Sequence, residues 1–184
     1  MHLVTRTALI DHLVANSLRT DGPFTLSSGS VADWYLDARQ TTFDGSGARI
    51  VGEAVMELLD PEAEAVGGMT MGADPIAVAT AMVAADRGTD IKAFSIRKSA
   101  KTHGVGGRLV GPVENGARVV ILEDTTTTGS AAGEATDVAL EAGLVIIQAI
   151  ALVDRSHGKA EKRFADRGIP FQAVVTPADL GVPA

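Results

Sequence analysis

Apolar positions in this chain recur with two periods, and the switching between them lays out a fold. Over residues 3–18, Leu3, Leu9, Leu13 and Leu18 are spaced compatibly with a helix. In residues 22–39, GPFTLSSGSVADWYLDAR, the runs FTL and WYL flank a Ser/Gly-rich turn and predict a β-hairpin. Ile50, Ala54, Val55 and Leu58 give 48–59 helical spacing, and Pro61 follows its end. A regular alternation then begins with a short strand over 64–70 and a helix over 75–88, opened by Pro75 and closed by Gly88. Strands are predicted over 91–97 and 118–124, then a helix over 130–142 stopped by Gly143. A long buried strand over 144–154, an amphipathic helix over 157–168 and a last strand over 171–176 complete it. Near-continuous apolar strands separated by helices predict an α/β fold with a parallel sheet covered on both faces. Such sheets bind ligands beyond the carboxyl ends of their strands. That rim collects residues 67–72, 97–107, 123–130 and 154–157.

Composition narrows the function classes. The 184 residues suffice for one domain with a sizeable core. No cysteine is present, which excludes disulfides, thiolate metal sites and Cys nucleophiles. No apolar run reaches the roughly 18 residues of a membrane span. Asp11 and His12 interrupt the N-terminal apolar stretch, so a signal peptide is not expected, and a cytoplasmic location fits. The formal net charge of −7 argues against a general nucleic-acid binder. Any anion site must therefore be built locally.

Two segments on the predicted rim carry chemistry. The first is VVILEDTTTTGS, residues 119–130. Glu123 and Asp124 alone read equally as a strand end reaching solvent. They are followed by Thr125, Thr126, Thr127, Thr128, Gly129 and Ser130, which join the strand to a helix N-terminus. Successive amides there form an anion concavity, and the helix end adds partial positive charge. One threonine would cap a helix; four exceed that need. The loop lacks the lysine and glycine spacing of a P-loop and the G-x-G-x-x-G dinucleotide fingerprint. Two acids followed by a Thr/Gly cradle suit a ribose 5-phosphate, with hydroxyls on the acids and phosphate on the loop. The second segment is RKSAKTHGVGGRLVG, residues 97–111. Four of the 16 Lys and Arg residues fall at 97–108, where an even spread would put about one. By itself this is a solvated charged loop as readily as a glycine-hinged lid over a polyanion.

Together these residues resemble a known family. VVILEDTTTTGS resembles the 5-phospho-α-D-ribosyl 1-diphosphate (PRPP) motif of the type I phosphoribosyltransferases. R-K-x-x-K-x-H-G-x-G resembles the flexible loop of the orotate phosphoribosyltransferases. FTLSSG with WYLD, GGMTMGADPIA and VDR at 153–155 are similar to that family's hairpin, pyrophosphate-side loop and substrate-side arginine. The resemblance implies a Rossmann-like parallel sheet flanked by helices, with a small N-terminal hood hairpin. It implies one domain over 1–184, in which 1–40 supply a helix and the hood. Residues 41–184 would then form the core, with a flexible loop at 98–109.

The implied reaction transfers the 5-phosphoribosyl group of PRPP, carried with Mg²⁺, to orotate. Its products are orotidine 5′-monophosphate and pyrophosphate. By matched position, Arg97, Lys98, Lys101 and His103 would contact the pyrophosphate, with Lys101 and His103 catalytic. Glu123 and Asp124 would hold the ribose hydroxyls, and Thr125 through Ser130 with Ala131 the 5-phosphate. Thr127 and Arg155 would face orotate, and the hairpin around Tyr35 and Leu36 would cover the base. Trp34 reads as packing, and His157 as a helix-start residue that caps or titrates. No direct protein ligand to the metal is implied. The partners would be PRPP, orotate and a second copy of the chain, whose loop 98–109 reaches the neighbouring site; no nucleic acid and no membrane. Two departures stand out: Gly72 and Ser27 occupy places where some members carry lysine. A phosphoribosyltransferase for another base and a non-catalytic PRPP-binding regulator are the competing readings.

Overall fold

A computed structural model describes residues 3–25, 29, 31–99 and 107–183 of the protein. Its centre is a six-stranded sheet in the order β10-β9-β8-β5-β6-β7. The strands are β5 (Ala65–Met69), β6 (Lys92–Ile96), β7 (Leu109–Val110), β8 (Arg118–Thr126), β9 (Val145–Asp154) and β10 (Phe171–Val175). All neighbours pair in parallel except β6 and β7, which run antiparallel at one edge. The sheet is therefore mostly parallel, as the apolar runs predict. The two-residue β7 has no hydrophobic run to announce it.

Helices cover both faces. On one lie α1 (Leu3–Asn16), α3 (Gly45–Met56) and α4 (Ala73–Asp86), with α5 (Ser130–Glu141) and α6 (Lys159–Ala165) on the other. Strand alternation divides the core accordingly: Val120 and Leu122 of β8 join the α1/α3/α4 cluster, and Val119 and Ile121 join the α5/α6 cluster. Helix α3 starts three residues before the spacing predicts, because the Asp44 carboxylate accepts the amides of Ser46 and Gly47 and opens it earlier. Helix α1 ends at Asn16 rather than 18, since Leu18 already belongs to a strand. Helix α6 is shorter than predicted, running from Lys159 to Ala165.

The N-terminal hood corrects one expectation. The runs FTL and WYL do not pair with each other. Two nested two-stranded ribbons form instead: β1 (Leu18–Arg19) with β4 (Tyr35–Leu36), and β2 (Phe24–Thr25) with β3 (Val31–Ala32). A four-residue helix, α2 (Arg39–Thr42), leads from the hood into α3.

The chain enters the sheet at β5, runs outward to β6 and β7, and returns on the other side of β5 as β8. The order thus reverses between β5 and β8, and connections leaving those two strands diverge to open a crevice. Phe164 of α6, fully buried and stacked on Phe171 with centroids 5.5 Å apart, anchors α6 beneath that rim. Phe164→Ala is expected to cost about 3–5 kcal/mol of unfolding free energy, measured by urea denaturation.

Candidate active site

A cleft of 460 Å³ sits at the switch point, lined by Arg39, Met69–Gly72, Lys98, Glu123, Asp124 and Ala131. Its floor is the end of β8. A strand sends successive side chains to opposite faces, so the two acids part company. Asp124 continues the Val120/Leu122 face and meets the turn after β5: a Cβ built at Gly72 lies 2.6 Å from its carboxyl group. Glu123 continues the Val119/Ile121 face toward the start of α5. The acids are thus two separate acceptors on either side of β8.

Both are held away from water. Burial, with the Asp124 charge adding to it, raises the Glu123 pKa to about 7, and the Ala132 amide pulls the other way. Glu123 Oε2 is buried and has no hydrogen-bond partner among the described residues. Burial also raises Asp124, while the Thr125 amide, donating to Oδ1 at 2.7 Å, and the Arg39 charge lower it. An unpartnered buried acceptor is costly unless a ligand donates to it.

The four threonines have different jobs. Thr125 and Thr126 are still strand, and Thr126 is buried, its Oγ1 accepting the Gly129 amide at 2.9 Å. Thr127 and Thr128 are exposed beyond the strand, and Thr128 Oγ1 accepts the Ser130 amide. Gly129 is left-handed, with φ of 70°, and caps α5 without a side chain. The first amides of this turn are thus satisfied internally, Gly129 and Ser130 by the threonine hydroxyls and Ala132 by Glu123, while Ser130 and Ala131 lie exposed at the start of the helix. Helix α6 braces this loop from below. A Cβ on Gly129 would lie 3.1 Å from Ala160 Cα, and Arg163 Nε donates to the Thr128 carbonyl. Gly129 is thus required twice, for its conformation and for the close approach of α6.

Arg155 follows β9, and its amide donates to the Thr126 carbonyl at 2.8 Å, which brings it beside the threonine loop. Its guanidinium lies 3.8 Å from the centre of the Trp34 ring. Trp34 is buried in the hood, as packing predicts, but it also carries this arginine. Burial lowers the Arg155 pKa, and a guanidinium stays charged even so. Leu36, expected over the base, lies in the core; Tyr35 alone of that pair is partly exposed, its ring tilted at 38° to that of Phe24. His157 is exposed and left-handed, before α6 rather than in it.

Of the cationic segment, Arg97 is half-buried at the end of β6 and Lys98 lines the cleft. Arg108 turns away: Nε donates to the Arg97 carbonyl and Nη2 pairs with Glu134. Lys101, His103 and Ser27 lie outside the described residues. No cluster of three or more His, Asp or Glu suited to a metal occurs among the described residues. No helix among them is long and apolar enough to cross a membrane. Arg39 is the lining residue that sequence reasoning missed. Its one signal is an Asp-x-Arg spacing directly after the hood.

No family model matches the chain. Its sequence is 44% identical over 162 residues to the orotate phosphoribosyltransferase of Streptomyces avermitilis, covering 88% of this chain and 89% of that one. The fold matches the Mycobacterium tuberculosis H37Rv orotate phosphoribosyltransferase in complex with Fe(III) dicitrate, with a TM-score of 0.84 at 36% identity. That match covers 97% of this chain and 99% of the other. The same mycobacterial enzyme in complex with PRPP gives 0.80 at 31% identity, again over 97% and 99%.

The Glu123 geometry has a measurable signature without any ligand. A carboxyl whose folded pKa of about 7 exceeds its ordinary 4.5 binds more protons folded than unfolded. Stability is then greatest below the unfolded value and falls as pH rises between the two. The loss is on the order of 2–3 kcal/mol. Urea unfolding at pH 5 and pH 8 should show this fall in the parent protein and a markedly smaller one in Glu123→Gln, where Asp124, raised in the same direction, remains.

Proposed function

The chain belongs to the orotate phosphoribosyltransferase family, and on that premise we propose how its own residues divide the reaction. The enzyme is a pentosyltransferase of pyrimidine biosynthesis: the orotate ring nitrogen attacks C1′ of PRPP, and pyrophosphate leaves as orotidine 5′-monophosphate forms. The observation that carries the assignment is the switch-point crevice, where the β8 acids, the threonine loop and the uncharged turn after β5 converge.

The α5 N-terminus, with Thr125 through Ala131 around it, holds the 5-phosphate. Its fixed dipole favours dianionic oxygen, and the exposed Thr127, Thr128 and Ser130 bring hydroxyl donors. Glu123 and Asp124 accept the ribose hydroxyls from opposite sides of β8. That bond supplies the donor Glu123 Oε2 lacks, and a hydroxyl donor favours the ionised carboxylate. As C1′ becomes oxocarbenium-like, charge builds on the leaving pyrophosphate. Arg97, Lys98, Lys101 and His103 stabilise it there, Lys101 and His103 closing over it with loop 98–109. Thr127 and Arg155 receive orotate, and the guanidinium recognises its carboxylate through two parallel hydrogen bonds. Trp34 fixes the plane of that guanidinium before substrate arrives.

The donor set fits a Mg²⁺ held chiefly by substrate phosphates and water, because two separated carboxylates make no protein cage. Bound with PRPP, the ion neutralises phosphate charge. The reading also takes the chain as one cytoplasmic domain, 1–184, with residues 1–40 as the hood and 41–184 as the core, that works as a homodimer. An apolar groove between α3 and α4 supports the dimer, bordered by Phe43, Val78 and Met82, all more than half exposed.

Mixing the protein with PRPP, Mg²⁺ and orotate should consume the orotate absorbance; turnover with another base alone would overturn the substrate assignment. Trp34→Leu should raise the orotate KM about ten-fold, as expected for losing a desolvated cation–π contact, with PRPP KM unchanged. For loop sharing, Lys101→Ala and Asp124→Asn proteins are each expected to be nearly inactive. Mixed and reassorted, they should recover about a quarter of the parent rate, since half the dimers are hybrids with one intact site.

A further inference from the structure

The cleft has to take a polyanion on a floor of two carboxylates, and the turn after β5 brings no charge to help. Thr70 Oγ1 is already donating to Asp74 at 2.6 Å, Met71 is apolar, and Gly72 has no side chain. The Asp124 carboxylate fills the space beside it: a Cβ at 72 would meet Cγ, Oδ1 and Oδ2 of Asp124 at 2.6, 2.6 and 2.7 Å, so a longer residue there would require that carboxylate to swing aside. Among the described residues, only two cations line the cleft, Lys98 and Arg39.

Arg39 is built to serve there. It opens α2, and Asp37 grips it from behind: Nε donates to Oδ1 at 2.7 Å and Nη2 to Oδ2 at 3.2 Å. A two-point grip fixes the plane of the guanidinium. Nη1 has no hydrogen bond among the described residues, so that edge is left for a ligand. Arg39 lines the same cleft as Asp124 at the end of β8, and its charge lowers the Asp124 pKa. It borders the 69–72 turn and Lys98, and Ala131 is the residue of the proposed 5-phosphate loop that lines the same cleft.

We infer that Arg39 is a further substrate-binding residue of the transferase, contacting the pyrophosphate group of PRPP from the hood side, where Gly72 brings no cation. The inference rests on the site reading above. Because Arg39 comes from the hood segment, it ties the cover over the base to the leaving-group end. Asp37 is its positioning residue.

The test is direct titration of the dimeric protein with inorganic pyrophosphate in the presence of Mg²⁺, beside ribose 5-phosphate as a second probe. Neither probe depends on which base the enzyme accepts, so failure of the orotate assay leaves this arm readable. Arg39→Ala should weaken pyrophosphate binding and raise PRPP KM on the order of ten- to a hundred-fold, the range for a charged hydrogen bond. Ribose 5-phosphate binding and orotate KM should stay within about two-fold. Arg39→Lys should recover part of the loss, and Asp37→Asn should show a smaller one. Unchanged pyrophosphate affinity in Arg39→Ala would overturn the inference. Equal weakening of both probes, or a lowered unfolding midpoint that accounts for the loss, would also overturn it.

Discussion

Two carboxylates kept out of water at the end of β8 set the terms for everything around them. Burying an acid without a partner is unfavourable, and this fold does it where a central strand opens into a crevice. The period of the strand then separates the pair. Glu123 is pressed toward the α5 amides, Asp124 toward Gly72 and Arg39. Each surrounding feature answers one of these placements: a glycine where Asp124 needs room, a helix start where Glu123 needs donors, an arginine where the crevice needs positive charge.

The second structural theme is support from beneath. The threonine loop owes its shape to α6 as well as to its own sequence. Ser156 Oγ accepts the Ala160 amide, which seats α6 against Gly129. Arg163 reaches the Thr128 carbonyl, and Arg167 reaches the Gly133 carbonyl and Asp137. Arg163 and Arg167 thereby engage carbonyls of the loop and of the start of α5. A loop that must bind anions with backbone groups gains from having its carbonyls satisfied elsewhere.

Much of this was legible in the residues. The central strands were readable because buried parallel strands are continuous apolar runs, as in RVVILED and LVIIQAIALVD. The threonine loop stood out because four threonines exceed what capping requires, whereas the basic segment by itself read as readily as a solvated loop. The hood was misread because two-residue strands carry no period; their partners are chosen by tertiary contacts such as Leu18 with Leu36. Leu36 was misassigned because a hydrophobic residue next to a site and one beneath it look alike in sequence. Arg39 stayed hidden because nothing local distinguishes it from other exposed arginines. Its meaning depends on α2 folding back beside β8, more than 80 residues away in the chain.

The stacking of Arg155 on Trp34 has a consequence of another kind. Trp34 is the sole tryptophan in the chain. Its indole is buried, and the group lying on its ring is the arginine assigned to the base. Emission from this protein at long excitation wavelengths therefore arises from one chromophore at the mouth of its own site. Any event that lifts, clamps or neutralises that guanidinium alters the quenching of a single defined ring. On the proposed assignment of Arg155 to orotate, base binding would be read by that one ring, with no label added.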